Sequence, residues 1–198
     1  MKSEDLLAAA AGQPEHSPER ALLVTAAIEL ALGKPVVLVG GAAVNTYTGE
    51  YRPTDLDLIG DVNRQDRALL TRLGFSDPGR GHRHLSIILR QGEAPLLVEF
   101  PPPPLLTRAV DLVEVAPGVA ARVISLVDLV LDRLRQATDA TPVTREAAVA
   151  LAVATYAEID WEEIHSRVTS ERLDLPALPS TLNVIRREAR RALRPRSV

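Results

Sequence analysis

Two carboxylates, Asp55 and Asp57, flank Leu56 in the run DLDLIG, and paired glycines, Gly40 and Gly41, close the earlier run PVVLVGG. Residues two apart on a strand project from one face. Asp55 and Asp57 would therefore point together, while Leu56 and Leu58 point away and can be buried. Like charges held side by side repel unless a cation lies between them. A hard divalent ion such as Mg²⁺ meets that need through carboxylate oxygens, and it ordinarily takes water and phosphate oxygens as well. The glycines have a complementary property. Lacking side chains, they let backbone N–H groups approach a phosphate, above all where a helix starts next. AAVNTYTG is placed to supply that helix, with Asn45 and Tyr47 near its end. A phosphate cradle beside metal-holding carboxylates is equipment for phosphoryl or nucleotidyl transfer.

The elements that must position these residues can be read from the flanking chain. Residues 3 to 11 suit a short helix ending at Gly12. SPERALLVTAAIELALG is a clearer one, with Ser17 as N-cap, Pro18 at the first helical position and Gly33 just past the end. PVVLVGG reads as a buried strand entering a glycine turn, and DLDLIG as a second strand. NRQDRALLTRLGF reads as a helix with Leu69, Leu70 and Leu73 on its apolar side. HLSIILR and APLLVEF are further strands joined by a QGE turn suited to a hairpin, and the prolines at 101–104 must end the second. Beyond them the composition turns helical. Ser125 with Asp128, Thr141 with Pro142, and Asp160 with Glu163 are helix-start signals, and STLNVIRREARRALR closes the chain. The expected layout is an α/β core over residues 1–118 and a helical C-terminal region over 119–198.

Composition sets the outer bounds. The 198 residues suit one ordinary domain with a helical appendage, and 46% apolar content permits a real core. With 3% aromatic residues that core must be built from Leu, Val, Ile and Ala. A net charge of −3 does not mark the whole chain as a nucleic-acid binder, and the lack of cysteine excludes disulfides and thiolate-held zinc. No apolar run has the length of a membrane span, and the acidic start is unlike a signal peptide, so a cytoplasmic protein without membrane contact is expected.

Taken singly, Asp-x-Asp is ordinarily a solvated strand end and Gly-Gly ordinarily a turn. Their order and spacing here link them. Val39-Gly40-Gly41, thirteen intervening residues, then Asp55-Leu56-Asp57-Leu58 resembles the signature of the nucleotidyltransferase superfamily, the DNA polymerase beta-like enzymes. GGAAVNTYTGEYRPTDLDL resembles the bacterial branch related to AbiEii-type toxin nucleotidyltransferases, and SLVDLVLDRL resembles a later helix of that branch. TREAAVALA matches a following basic-acidic segment only loosely, with Arg145-Glu146 where Arg-Asp is expected.

The resemblance implies an α/β (α+β) fold, a mixed sheet flanked by helices with a helical C-terminal part. It implies that Gly40 and Gly41 hold NTP phosphates and that Asp55 and Asp57 hold Mg²⁺, with Mn²⁺ as a substitute. A third carboxylate is expected from a later strand, as metal ligand or as base. Glu99 in LLVEF is the first candidate, ahead of Glu93 and Glu114. Asn45 is grouped with the nucleotide-binding residues. Arg52, just before the carboxylate strand, would touch phosphate or acceptor or lie in a solvated turn. Arg133 matches the basic position of the later helix and would reach the triphosphate or face solvent.

The implied reaction moves NMP from an NTP to a hydroxyl on an RNA or tRNA end or on a protein, in a toxin-like setting with a cognate antitoxin. The alternative is a catalytically inactive nucleotide-binding or protein-interaction module on the same fold. Asp128 reads better as a cap than as a catalyst. His82 and His84 have metal-compatible spacing but no supporting acid nearby, so a basic or ordinary surface loop is the stronger account. Arg186, Arg187, Arg190, Arg191 and Arg194 gather on the last helix with Glu188 alone opposing them. They suit either a solvated helix end or an RNA backbone contact.

Overall fold

The computed structural model describes residues 1–79, 83–103, 107–138, 142–170 and 177–194. Two compact units divide the chain, one of residues 1–103 and 109–124, the other of 104–108 and 125–198.

The first unit is built on one sheet. Its strands are β1 (Val37–Val39), β2 (Asp55–Ile59), β3 (His84–Ile87), β4 (Leu96–Glu99), β5 (Val110–Ala116) and β6 (Val119–Ile124), and they lie in the order β3-β4-β2-β1-β6-β5. The sheet is mixed. β1 pairs parallel with β6 and β2 parallel with β4, while β1–β2, β3–β4 and β5–β6 are antiparallel. Helices α1 (Ser3–Ala11), α2 (Pro18–Leu32), α3 (Gly40–Thr48) and α4 (Arg64–Arg72) complete the unit.

Local signals explain where these elements start and stop. Ser17 Oγ accepts from Arg20 N at 3.2 Å, Pro18 occupies the first turn, and Gly33 ends α2 at φ 62°. Such a left-handed end is the position where glycine carries no Cβ penalty. α4 opens with a capping box between Asn63 and Asp66. Of the leucines expected on its apolar side, Leu70 is buried, Leu73 is half-buried and Leu69 is 37% exposed. Asp66 is buried and bonded to Lys34 Nζ at 2.5 Å. Burial alone would raise its carboxyl, but that bond, the Asn63 backbone N–H and the Lys34 charge together hold it below its ordinary range. The core is aliphatic as its composition requires, with Leu38, Leu56, Leu58, Val98 and Val123 fully buried along the sheet.

The boundary expected at residue 118 falls inside the β5–β6 hairpin turn, and the sheet unit runs through Ile124. β6 takes the place beside β1 by parallel pairing, Leu38 opposite Val123. A segment that completes a buried sheet belongs to that sheet whatever follows it in the chain. The helical region therefore begins at Ser125.

The second unit contains α5 (Leu126–Thr138), α6 (Pro142–Ala154), α7 (Trp161–Ser170) and α8 (Leu178–Ala192). Ser125 Oγ accepts from Asp128 N at 3.3 Å, and Asp160 Oδ1 accepts from Glu163 N at 2.9 Å, so both start signals operate as caps. Thr141 lies outside the described residues. The Asp128 carboxylate is fully buried and receives Arg167 Nη1 and the Arg108 backbone N–H, each at 2.5 Å. A buried charge satisfied by a guanidinium and an amide is a structural anchor. On α8, Arg186 stacks over the Trp161 ring at 5.2 Å and Arg190 Nε donates to the Tyr156 hydroxyl at 2.5 Å.

Candidate active site

Three carboxylates meet on one face of the sheet. β2 and β4 run parallel with Asp57 opposite Glu99 and Asp55 opposite Leu97. Opposed residues of paired strands project to the same side, and so do residues two apart on one strand. One oxygen from each of Asp55, Asp57 and Glu99 lies within 4.8 Å of the other two, and all three residues are half-buried. Three carboxylates so close repel one another in the absence of a cation. The donor set is all oxygen, which is the chemistry of a hard divalent ion. The site fits such an ion.

The glycine turn lies beside this cluster. Val39 pairs opposite Asp57, and the next residue, Gly40, opens α3. Gly40 takes φ +66°, and a Cβ there would stand 1.9 Å from Asp57 Oδ2 and 2.9 Å from Asp57 Cβ. Rotation of the Asp57 side chain alone cannot relieve a clash that reaches its own Cβ. Gly40 thus lets the start of α3 close on the carboxylate strand. The first turn of any helix leaves backbone N–H groups without intrahelical acceptors, and these suit an anion. A Cβ on Gly41 would meet Tyr51 Cε1 at 2.7 Å, so an aromatic ring covers the second glycine.

The third carboxylate has a neighbour. His84, on β3, pairs opposite Glu99, and its Nε2 lies 3.4 Å from Glu99 Oε1. Its buried Nδ1 has no hydrogen-bond partner among the described residues. His84 therefore belongs to the carboxylate cluster and not to a surface loop; His82 lies outside the described residues. The QGE hairpin brings the two strands together, but the register that sets His84 opposite Glu99 is fixed only when they pair.

The remaining expected residues have varied surroundings. Asn45 is buried and its Nδ2 donates to the His16 carbonyl at 2.7 Å, which ties α3 to the α1–α2 loop. Arg52 is exposed in the loop before β2. Arg133 belongs to the second unit, where Nη1 donates to Gln136 Oε1 at 3.0 Å and Nη2 lies 3.3 Å from Asp132 Oδ2. Glu93 is paired with Arg20 and Arg90, and the Arg20 bond, offset in part by burial, holds its carboxyl below the usual range. Glu114 Oε1 accepts from Gly118 N at 3.3 Å in the β5–β6 turn. Of the three acids weighed for the third position, Glu99 stands with Asp55 and Asp57.

No family model matches the chain, and no curated protein matches it. Among solved structures it is similar to an antigenic nucleotidyltransferase-like protein from Paracoccidioides brasiliensis. That likeness has a TM-score of 0.55 at 16% identity and covers 84% of this chain and 92% of the other. At that identity the likeness establishes a nucleotidyltransferase-like fold.

Proposed function

We propose that the protein is a divalent-metal-dependent nucleotidyltransferase that moves NMP from an NTP to a hydroxyl acceptor. The observation that carries this reading is the convergence of Asp55, Asp57 and Glu99 within 4.8 Å, next to a helix start that only glycine permits. Asp55, Asp57 and Glu99 would hold Mg²⁺, or Mn²⁺ in its place. When bound, the ion supplies charge neutralisation at the triphosphate and activation of the acceptor oxygen. The backbone N–H groups of Gly40 and Gly41 bind the phosphates. The acceptor oxygen forms a bond to the α-phosphorus, the bond to the pyrophosphate oxygen breaks, and Glu99 takes the acceptor proton. His84 Nε2, beside Glu99 Oε1, orients that carboxylate. Arg52 is near enough in sequence to β2 to serve phosphate or acceptor.

An RNA or tRNA end or a protein hydroxyl is the proposed acceptor class, and a toxin with a cognate antitoxin is the proposed setting, both resting on the sequence resemblance. An inactive module on the same fold would have no need of a third carboxylate, and Glu99 beside Asp55 and Asp57 favours the enzyme over it. The test is calorimetric titration of the four NTPs with Mg²⁺ into wild type and an Asp55→Asn, Asp57→Asn double variant. We expect one NTP to bind wild type in a metal-dependent manner and to lose at least tenfold in the variant. Binding that ignores both metal and aspartates would refute the reading.

A further inference from the structure

The open sheet has two edges, and the chain treats them differently. At one edge stands β3, where Ser86 and Ser76 exchange backbone hydrogen bonds of 2.8 Å in both directions. At the other stands β5, seven residues long, with no strand on its outer side among the described residues.

An edge strand turns alternate N–H and C=O groups outward, and proteins commonly blunt such an edge with Pro, Lys or a covering segment. Val110–Ala116 contains no Pro, Lys or Arg. No backbone hydrogen bond leaves its outer side among the described residues. Val110, Asp111, Leu112 and Glu114 are all exposed, Leu112 to 65%. The edge is therefore open to another strand.

The residues of β5 argue which strand. From Val110 to Glu114 it runs in regular antiparallel register with β6, and a bulge between Glu114 and Ala116 ends the straight run. Leu112 is the middle residue of that run. The two acids already have donors: Asp111 takes the Tyr47 hydroxyl at 2.6 Å, and Glu114 takes Gly118 N at 3.3 Å. They do not call for a basic partner. Exposed Leu112 calls for an apolar residue opposite it, and a second β5, laid antiparallel about a twofold axis at Leu112, supplies one. In that register Leu112 opposes Leu112, Asp111 opposes Val113 and Val110 opposes Glu114, so no acid faces an acid. Sliding one residue toward the bulge would set Asp111 against Glu114, and like charges directly opposite are destabilising. Sliding the other way shortens the pairing and sets Leu112 against Asp111.

We propose that the β5 edge is a self-association surface, pairing with β5 of a second copy and joining two six-stranded sheets into one. Residues 110–114 alone pair, so the contact is well below a standard interface and the dimer is weak and concentration-dependent. Its formation needs neither metal nor nucleotide, so it stands apart from nucleotidyl transfer.

Sedimentation velocity on the full chain tests it, from about 5 to about 200 µM, which brackets the Kd on the order of 50 µM expected of so small an interface. Wild type should pass from monomer to dimer across that range. Leu112→Lys alters an exposed side chain, should leave the thermal melt unchanged, and should weaken association at least tenfold. Cross-linking tests the register. The chain has no cysteine, so Leu112→Cys, oxidised with copper phenanthroline, forms a disulfide dimer only where Leu112 meets its own counterpart. Val110→Cys is the control, because at about 3.4 Å per residue its two copies lie roughly 14 Å apart in this register, and it should cross-link at least fivefold more slowly. A monomer at every concentration would leave the edge to a segment of another protein and overturn the proposal. A dimer that survives Leu112→Lys, or Val110→Cys cross-linking as fast as Leu112→Cys, would overturn it as well.

Discussion

At Asp55 and Gly40 the demands of chemistry and of stability diverge. Asp55, Asp57 and Glu99 bring one oxygen each within 4.8 Å of the others. At such a distance two unit charges repel by about 1 kcal/mol even in a watery surround. Asp55→Asn should therefore raise the thermal stability of the metal-free protein by about 1 kcal/mol, with added salt shrinking the gain. Mn²⁺ should stabilise wild type and should not stabilise this variant. Thermal melts with and without Mn²⁺ check both, and a lower metal-free melting point would count against the repulsive cluster. Gly40→Ala acts differently. A non-glycine residue in the left-handed region costs about 1–2 kcal/mol, and the new methyl also meets Asp57 at Cβ. We expect that loss in urea unfolding together with at least tenfold weaker Mn²⁺ binding. A stability loss with unchanged metal affinity would detach the glycine from the carboxylate site.

Between elements, Tyr47 fastens the end of α3 to the β5–β6 hairpin. Its hydroxyl lies 2.6 Å from Asp111 Oδ2 and 2.8 Å from the Ile124 carbonyl. Burial first, then the bond and charge of Asp111, push the Tyr47 phenol far above its ordinary value. The folded state thus keeps a proton that the unfolded chain releases near pH 10. Stability contributed by this group is complete below about pH 10 and lost as pH rises above it. Tyr47→Phe should cost about 1 kcal/mol at neutral pH and flatten the alkaline decline. Urea midpoints at pH 7, 9 and 10.5 test this, and an equally steep decline in the variant would refute it. Several elements were legible beforehand because their signals are local. Ser17, Pro18 and Gly33 delimit α2, and the alternation in DLDLI gives β2 its inward leucines and outward acids. β5 and β6 were not anticipated, although Pro117-Gly118 between apolar runs is a turn signal. The shift in composition after the prolines drew the boundary too early.

For the molecule as a whole, two compact units have separate anchors. In the helical unit the anchor is Asp128, with Arg167 Nη1 at 2.5 Å in a fully buried setting. Removing one partner leaves an uncompensated charge, so Arg167→Met should cost about 3–5 kcal/mol. Hydrogen exchange should show the loss as faster exchange in α5 and α7. Asp128 drew attention in the sequence only as a cap, since its partner lies 39 positions away. No helix among the described residues is long and apolar enough to cross a membrane. The arginines on and just past α8 divide in a manner the sequence did not indicate. Arg186 stacks on Trp161 and the exposed Arg190 reaches Tyr156, while Arg187, Arg191 and Arg194 are exposed.

By itself the sequence determined the glycine turn at the start of α3 and the two aspartates that share a face of β2, because a glycine pair at a helix start and an Asp-x-Asp on a strand are short-range patterns with fixed geometry. It also determined an aliphatic core and the mixed α/β character. Tertiary structure alone decided which of Glu93, Glu99 and Glu114 stands with the aspartates. That choice depends on β4 lying parallel to β2 with Glu99 opposite Asp57, a register no local signal encodes. His84 beside Glu99, Tyr51 over Gly41 and Arg20 paired with Glu93 also wait on folding. Each is a contact between different elements or loops, made only once the chain has folded.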